Sequence, residues 1–253
     1  MVGYLGYRRF RRAWPLLLIA VGLVDHGAQL AYAEIIVSST SRGVAAAATG
    51  AAGDGDSSVL AGLYDHSASA TGSSPAGTIG SAASQSSIIP SLTGPAMDGL
   101  GSVSTFASAT GFTGFSNLAD SFFDVFFEVS TTGFYNLDAS VNWTGDVPPF
   151  SGFASVELRD ITSATTIDSV VSDVGSPGVH ELHDAYFLTT GISYRLLAEA
   201  KIAGGFATAG EYDASGGWSV TLVPEPSTLG LLAAAGVTLA AIAATRRKTW
   251  RAH

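Results

Sequence analysis

Cysteine is absent from the 253 residues of this chain. Without thiols the protein can form neither disulfides nor thiolate metal sites. Basic residues are also scarce, with 12 Lys and Arg against 21 Asp and Glu. The absence of cysteine does not argue against export, because a domain of this size can be held together by its hydrophobic core.

The few basic residues lie mostly at the two ends of the chain. The eight terminal ones flank the end runs of apolar residues: Arg8, Arg9, Arg11, Arg12, Arg246, Arg247, Lys248 and Arg251. Of the acids only Asp25 and Glu225 lie outside residues 34–223, so this segment keeps four basic and nineteen acidic residues, a net charge of −15. It has no basic patch that would neutralise phosphates. We therefore expect it to repel nucleic acid and anionic lipid and to attract divalent cations.

The first 33 residues have the order of a secretory signal peptide. After the basic start, Trp14–Val24 form an uncharged, mostly apolar run of about 16 Å as a helix, which is too short to span a bilayer. Ala31 and Ala33 then form a small-x-small cleavage site, which predicts Glu34 as the mature N-terminus. The alternative is an uncleaved N-terminal anchor.

The C-terminal tail combines three features in a fixed order. Pro224, Glu225 and Pro226 lead into an apolar run that ends at Arg246 and Arg247, and twenty uncharged positions lie between Glu225 and Arg246. A helix of that length spans roughly 30 Å, the thickness of the hydrocarbon core of a bilayer. The basic end would stay on the cytoplasmic side.

This order resembles the PEP-CTERM sorting signal of Gram-negative bacteria, over Val223 to Arg247. The Pro-Glu-Pro triplet stands where the family has it, and Arg246 and Arg247 match its basic terminus. The resemblance implies that a membrane protease-transpeptidase, an exosortase, recognises the tail, cuts near the triplet and sends the protein to the surface or medium. The alternative is an ordinary single C-terminal membrane anchor.

The segment 34–119 is rich in Ser, Ala, Gly and Thr and has two interpretations. It is either a flexible low-complexity linker or a set of short strands with small side chains. Strands are favoured where side chains alternate, as with Val103 and Thr105 against Ser102 and Ser104.

From residue 120 onward the strand signal is stronger. Phe123, Val125 and Phe127 repeat every second position, as do apolar residues over 135–143. Many short alternating strands separated by Gly, Pro and Asp turns predict an all-β protein, an antiparallel β-sandwich. A strand-Gly-Tyr corner recurs at 130–137 and 188–196 and favours the jelly-roll type.

The sequence therefore predicts four parts. A signal helix occupies 1–33, Ser/Ala/Gly-rich strands and loops of the sandwich occupy 34–119, the sandwich core occupies 120–223, and a sorting signal with a transmembrane helix occupies 224–253.

Two polar clusters are candidate metal sites. His180, Glu181, His183 and Asp184 could contribute to one, but residues three apart on a strand face opposite ways, so a surface loop is the favoured interpretation. Asp54 and Asp56 could offer oxygen ligands to calcium, although the rest of a calcium loop is missing and a solvated loop is favoured.

Aromatic residues could stack on sugar rings if several shared an exposed face. Trp143, Trp218, Tyr135 and Tyr194 lie on the apolar sides of their strands, which favours core packing for them. The remaining two candidates are Tyr186 and Tyr212, and Tyr212 is the best candidate for an exposed ring.

Catalysis has little support in the sequence. His66 lies beside Asp65 among serines, but no Gly-x-Ser-x-Gly elbow and no phosphate-binding Gly-x-x-x-x-Gly-Lys occurs. No pair of carboxylates is marked by its spacing. We therefore expect a protein that is not an enzyme and has no cofactor, with calcium as a candidate ion.

Two functional hypotheses follow. The first is an exported, surface-sorted protein with a structural or adhesive role in the cell envelope or exopolysaccharide matrix. The second is a jelly-roll carbohydrate-binding module, with polysaccharide as ligand. Signal peptidase, the export machinery, an exosortase and the membrane are the expected partners.

Overall fold

The computed structural model describes residues 33–111, 113–147 and 149–225, and these contain no α-helix. Within those ranges no helix could therefore cross a membrane. The signal helix predicted in 1–33 and the transmembrane helix predicted in 224–253 lie outside the described residues, apart from Ala33, Pro224 and Glu225. The all-β class is confirmed.

Thirteen strands make up the described chain. In order they are β1 (Ile35–Ala48), β2 (Asp54–Ser58), β3 (Gly62–Ser74), β4 (Gly77–Ile89), β5 (Thr93–Gly94), β6 (Met97–Ala109), β7 (Thr113–Val129), β8 (Gly133–Gly145), β9 (Phe150–Asp160), β10 (Thr165–Asp173), β11 (Gly178–Leu188), β12 (Tyr194–Ala207) and β13 (Gly210–Pro224). Strands therefore occupy the Ser/Ala/Gly-rich segment, and β7 runs across the compositional boundary at 119 and 120.

The strands form two sheets in which every pairing is antiparallel. The first sheet has seven strands in the order β10-β9-β12-β7-β1-β2, with β5 also paired to β1. The second sheet has six strands in the order β11-β8-β13-β6-β4-β3. Neighbouring strands in a sheet are often far apart in the chain, as β13 is from both β6 and β8.

The core lies between the two sheets and is built by side-chain alternation. Along β7, Phe123, Val125 and Phe127 are fully buried, and the residues between them face outward. From the opposite sheet, Trp218 packs against Phe123 with ring centroids 5.7 Å apart and donates its indole N–H to the Ser121 carbonyl at 3.1 Å. The two sheets therefore pack face to face as a β-sandwich.

The two strand-Gly-Tyr corners of the sequence lie side by side. Tyr135 donates its hydroxyl to the carbonyl of Thr131 at 3.0 Å, and the Tyr194 hydroxyl accepts from the Thr189 amide at 2.8 Å. Each tyrosine thereby closes the turn that precedes its own strand, with its ring in the core. The hydroxyl of Thr132 in one turn accepts the amide of Thr190 in the other at 3.0 Å.

Candidate functional site

The last strand leads directly into the Pro-Glu-Pro triplet. Leu222 is fully buried, and Pro224 lies in register with Tyr135 of β8. The Glu225 amide donates to the Phe134 carbonyl at 2.9 Å, which continues the ladder one residue past β13. Two of the three residues of the triplet are thus held on the second sheet, with no linker between the core and the motif.

An exposed aromatic pair lies beside this end of β13. Phe134 of β8 and Phe187 of β11 are directly paired in register, and their rings meet edge to face with centroids 5.3 Å apart. They expose 50% and 60% of their surface. Because Leu222 faces the core, alternation puts Glu225 on the outer face of the sheet, in the same row as the two rings.

The chain enters the fold at the same end. The Glu34 amide donates to the Ser130 hydroxyl at 2.8 Å, and the Ser130 amide donates to the Glu34 carbonyl at 3.0 Å. Ser130 precedes β8, whose second residue, Phe134, bonds to Glu225. Of the other predicted targeting residues, Ala33 is half-buried just before β1. Those outside the described residues are Ala31, Pro226, Arg246 and Arg247.

The histidine cluster forms part of edge strand β11 and does not converge on one point. His183 Nδ1 lies 2.9 Å from an oxygen of Asp138, and its Nε2 lies 3.5 Å from Glu181. The hydrogen bond with Asp138, followed by that with Glu181, raises the pKa of His183. His180 instead lies 3.0 Å from the carbonyl of Ser176. The loop interpretation was wrong, since these residues lie on a strand.

Asp54 and Asp56 lie on strand β2, so the loop interpretation of this pair was also wrong. Both are engaged by groups of β3. Asp56 lies 2.6 Å from His66 Nδ1, and Asp54 accepts the Ser69 amide at 3.0 Å. Over the described ranges, no three His, Asp or Glu side chains are grouped as metal ligands would be. His66 pairs with Asp56 rather than with its sequence neighbour Asp65.

The aromatic residues singled out in the sequence are mostly core residues. Trp143, Trp218, Tyr135 and Tyr194 are buried, while Tyr186 and Tyr212 are half-buried. Tyr212 was expected to be exposed, but its hydroxyl contacts Thr208 Oγ1 at 2.7 Å and its ring packs against the core. Among the side chains that the structure describes, the exposed aromatic rings are those of Phe106, Phe134 and Phe187, which alternation in β6, β8 and β11 places on the solvent-exposed face of the second sheet.

A shallow groove of about 720 Å³ lies on that wet face around Phe106, which is 43% exposed. Asp146 and Asp213 line it, and the Asp213 amide donates to the Asp146 carboxylate at 2.9 Å. The hydroxyls of Thr144 and Ser215, 3.1 Å apart, line it as well. The groove therefore combines one aromatic surface with acceptors and hydroxyl groups.

The cations of the fold lie elsewhere. Within the described ranges Arg42 is buried, and the others, Arg159, Arg195 and Lys201, belong to β9 and β12 of the first sheet. Arg195 forms a bidentate pair with Asp124 at 2.7 and 2.8 Å. The outer face of the second sheet is thus without Lys or Arg, and the Phe106 groove has no group that would favour an anionic ligand.

Two carboxylates on the first sheet have raised pKa values. Burial raises the pKa of Asp120 against the opposing effect of Lys201, whose Nζ lies 3.6 Å away. Burial, followed by repulsion from Asp120, raises the pKa of Glu199. The nearby groove of about 520 Å³ is lined by Lys201 and Asp173 but by neither of these two acids. The pair therefore does not have the arrangement of a hydrolase site, in which two carboxylates face a common cleft.

Comparisons with solved structures return remote likenesses. A structure of infectious bursal disease virus, Gx strain, is 9% identical with a TM-score of 0.26, and covers 78% of this chain and 58% of that one. A carbohydrate-binding module that recognises mannan is 11% identical with a TM-score of 0.20, over 48% and 73% of the two chains. An arabinose-bound α-L-arabinofuranosidase is 15% identical with a TM-score of 0.19, over 57% and 22%. These likenesses carry no argument about function.

A comparison with curated proteins found no match. A family model does match the tail, over residues 222–248, and its description is the PEP-CTERM protein-sorting motif. The match begins at buried Leu222 and includes the triplet that β13 leads into. The tail of this chain is therefore a PEP-CTERM sorting signal, which implies export and membrane-anchored processing by an exosortase in a Gram-negative bacterium.

Proposed function

We propose that this protein is a non-catalytic, surface-sorted β-sandwich of jelly-roll type with a structural or adhesive role in the cell envelope or exopolysaccharide matrix. Signal peptidase would cut after Ala33, and the C-terminal helix would hold the chain transiently in the inner membrane. An exosortase would then read Pro224, Glu225 and Pro226, with Arg246 and Arg247 as the basic stop. The protein would finish on the surface or in the medium.

One observation carries this proposal. A sorting motif follows without a linker the last strand of a strongly acidic sandwich, and no three His, Asp or Glu side chains of the described residues are grouped as metal ligands would be. The net charge of −15 over residues 34–223 supports solubility and a role away from nucleic acid and anionic lipid.

The test is the intact mass of protein recovered from the cell surface and the medium. We expect a chain that begins at Glu34 and lacks Arg246–Arg251. A variant with Pro224→Ala, Glu225→Ala and Pro226→Ala should stay unprocessed in the inner membrane. Surface protein that retains His253 would refute the sorting role.

A second candidate function is a carbohydrate-binding module, and the Phe106 groove favours it. An exposed ring beside carboxylate and hydroxyl groups could stack on a sugar and accept its hydroxyl protons. Because no Lys or Arg of the described ranges lies on this face, a neutral polysaccharide would suit it better than an acidic one.

Two alanine variants separate this candidate from nonspecific hydrophobic adsorption. They are Phe106→Ala and the matched Phe187→Ala, which changes an exposed ring at the other end of the same sheet. Only Phe106→Ala should abolish binding in a glycan array. Titration of the protein with polysaccharide, in the presence and in the absence of calcium, tests whether the ion takes part in binding. Blank results for the wild-type protein in both assays would remove this second function.

A further inference from the structure

We propose that Phe134 and Phe187 form a docking surface for the membrane protease that reads the sorting triplet. This inference rests on the proposed sorting function and deepens it by naming a recognition surface on the folded domain. The triplet is then only one part of what the enzyme recognises.

The first support is the position of Glu225 on the sheet. Its amide is bonded to the carbonyl of Phe134 at 2.9 Å, and Phe134 is paired in register with Phe187. Neighbouring strands lie about 4.8 Å apart, so the two rings start roughly 5 and 10 Å from the Glu225 backbone. Glu225, Phe134 and Phe187 therefore form one row across the outer face.

The second support is the absence of a linker. Leu222 is fully buried and Pro224 still pairs with Tyr135, so the sandwich ends where the triplet begins. One extended residue covers at most about 3.5 Å. An enzyme that binds Glu225 must therefore come within contact distance of the side chains on the outer face at this end of β8 and β11.

The third support is the chemistry of the two rings. Phenylalanines that are 50% and 60% exposed and packed edge to face present an apolar patch with little conformational freedom left to lose on binding. Aromatic residues at the centre of a contact supply much of its binding free energy. Glu225 adds a negative charge at the edge, which complements a cationic group of the partner.

The test is the rate of C-terminal processing of the full precursor. It is measured by pulse–chase labelling in cells that contain the protease. The variant with Phe134→Ala and Phe187→Ala should be processed about tenfold more slowly. The matched control is Val179→Ala, which removes a 67% exposed apolar side chain from the same face of β11 at the other end of that strand. It should be processed at the wild-type rate. The variant with Phe134→Leu and Phe187→Leu keeps the patch apolar and should restore most of the rate.

Thermal melting of each variant shows whether the fold is kept. We expect that it is, because half or more of the surface of each phenylalanine is exposed. Processing of the double alanine variant at the wild-type rate would overturn the docking surface. If the triple alanine variant of the triplet were also processed normally, the sorting function itself would fail. The two failures are therefore distinguishable.

The other possible occupant is the lipid surface. Since the chain has no cysteine, Ala185→Cys creates a single labelling site on the same strand face as Phe187. The full chain carrying a fluorophore there is reconstituted in phosphatidylethanolamine vesicles with nitroxide lipids and without protease. Weak quenching is expected, and strong quenching would assign the rings to lipid and overturn the proposal.

Discussion

Arg42 is a buried cation that stabilises the fold by donating hydrogen bonds to backbone carbonyl groups. Only 1% of its surface is exposed, and within the described ranges no carboxylate forms an ion pair with it. Its guanidinium donates to the carbonyls of Gly62 at 2.8 Å and of Leu60, and lies 5.2 Å from the Tyr64 ring centroid. Leu60 lies in the β2–β3 connection, and Gly62 and Tyr64 belong to β3. One side chain of the first sheet therefore holds the point at which the chain crosses to the second sheet.

We expect Arg42→Ala to lower the free energy of unfolding by about 3 kcal/mol, because it removes charge-assisted hydrogen bonds and leaves part-buried carbonyls without donors. Arg42→Lys should recover only part of the loss, since one ammonium cannot reproduce the fork of the guanidinium. Urea denaturation measures both. A loss below about 1 kcal/mol for Arg42→Ala would mean that water takes over these carbonyls.

The indole of Trp218 lies over two glycines of the neighbouring strand β6. A Cβ on Gly99 would be 2.9 Å from the Trp218 ring, and one on Gly101 would overlap that ring and the Ser121 hydroxyl. The indole fills the space that these two missing side chains leave. The contact joins the middle of the second sheet to β7 of the first.

Gly101→Ala should cost about 2–3 kcal/mol of unfolding free energy, because the added methyl group overpacks the core under the indole. Gly133→Ala is the matched control, since nothing lies within 4 Å of a Cβ built there. It should change stability by no more than about 0.5 kcal/mol. Equal effects of the two substitutions in chemical denaturation would contradict this packing.

The two open edges of the sandwich are each closed by side chains that reach from one sheet to the other. At one edge Tyr64 of β3 donates to the Asp56 carbonyl of β2 at 3.0 Å. At the other edge Tyr186 of β11 donates to the Asp168 carboxylate of β10 at 2.6 Å. These contacts tie together the strands that have a sheet neighbour on only one side.

Tyr186→Phe should lower the free energy of unfolding by about 1–2 kcal/mol at neutral pH, the worth of a hydrogen bond to a charged acceptor. Burial, then the bond to Asp168, raises the pKa of Tyr186 above its usual value of about 10. A raised folded pKa gives stability that is complete below the unfolded pKa and is lost as the pH rises through the folded one. The difference between the wild type and Tyr186→Phe should therefore shrink above about pH 10. A difference that stays constant to pH 12 or above in urea titrations would contradict this.

The sorting tail and the buried face of the longer strands were predictable because both are local properties. Phe123, Val125 and Phe127 alternate strictly, and all three are in the core. The start of β1 shows where such reasoning stops. A bulge between Val37 and Ser39 shifts its pairing with β7 by one residue, so Val37 and Thr40, three positions apart, both turn inward.

Local pattern was thus enough to establish the all-β class, the sorting tail and the absence of thiol chemistry, because each depends on residues that are close in sequence. Which strands became neighbours depended on long-range pairing, and sequence periodicity carries no information on that. Only the tertiary structure placed Phe134, Phe187 and Glu225 in one row, Asp56 rather than Asp65 beside His66, and the ring of Phe106 beside Asp146 and Asp213. Sheet neighbours come from distant parts of the chain, and their match is decided by the shared core that they bury together.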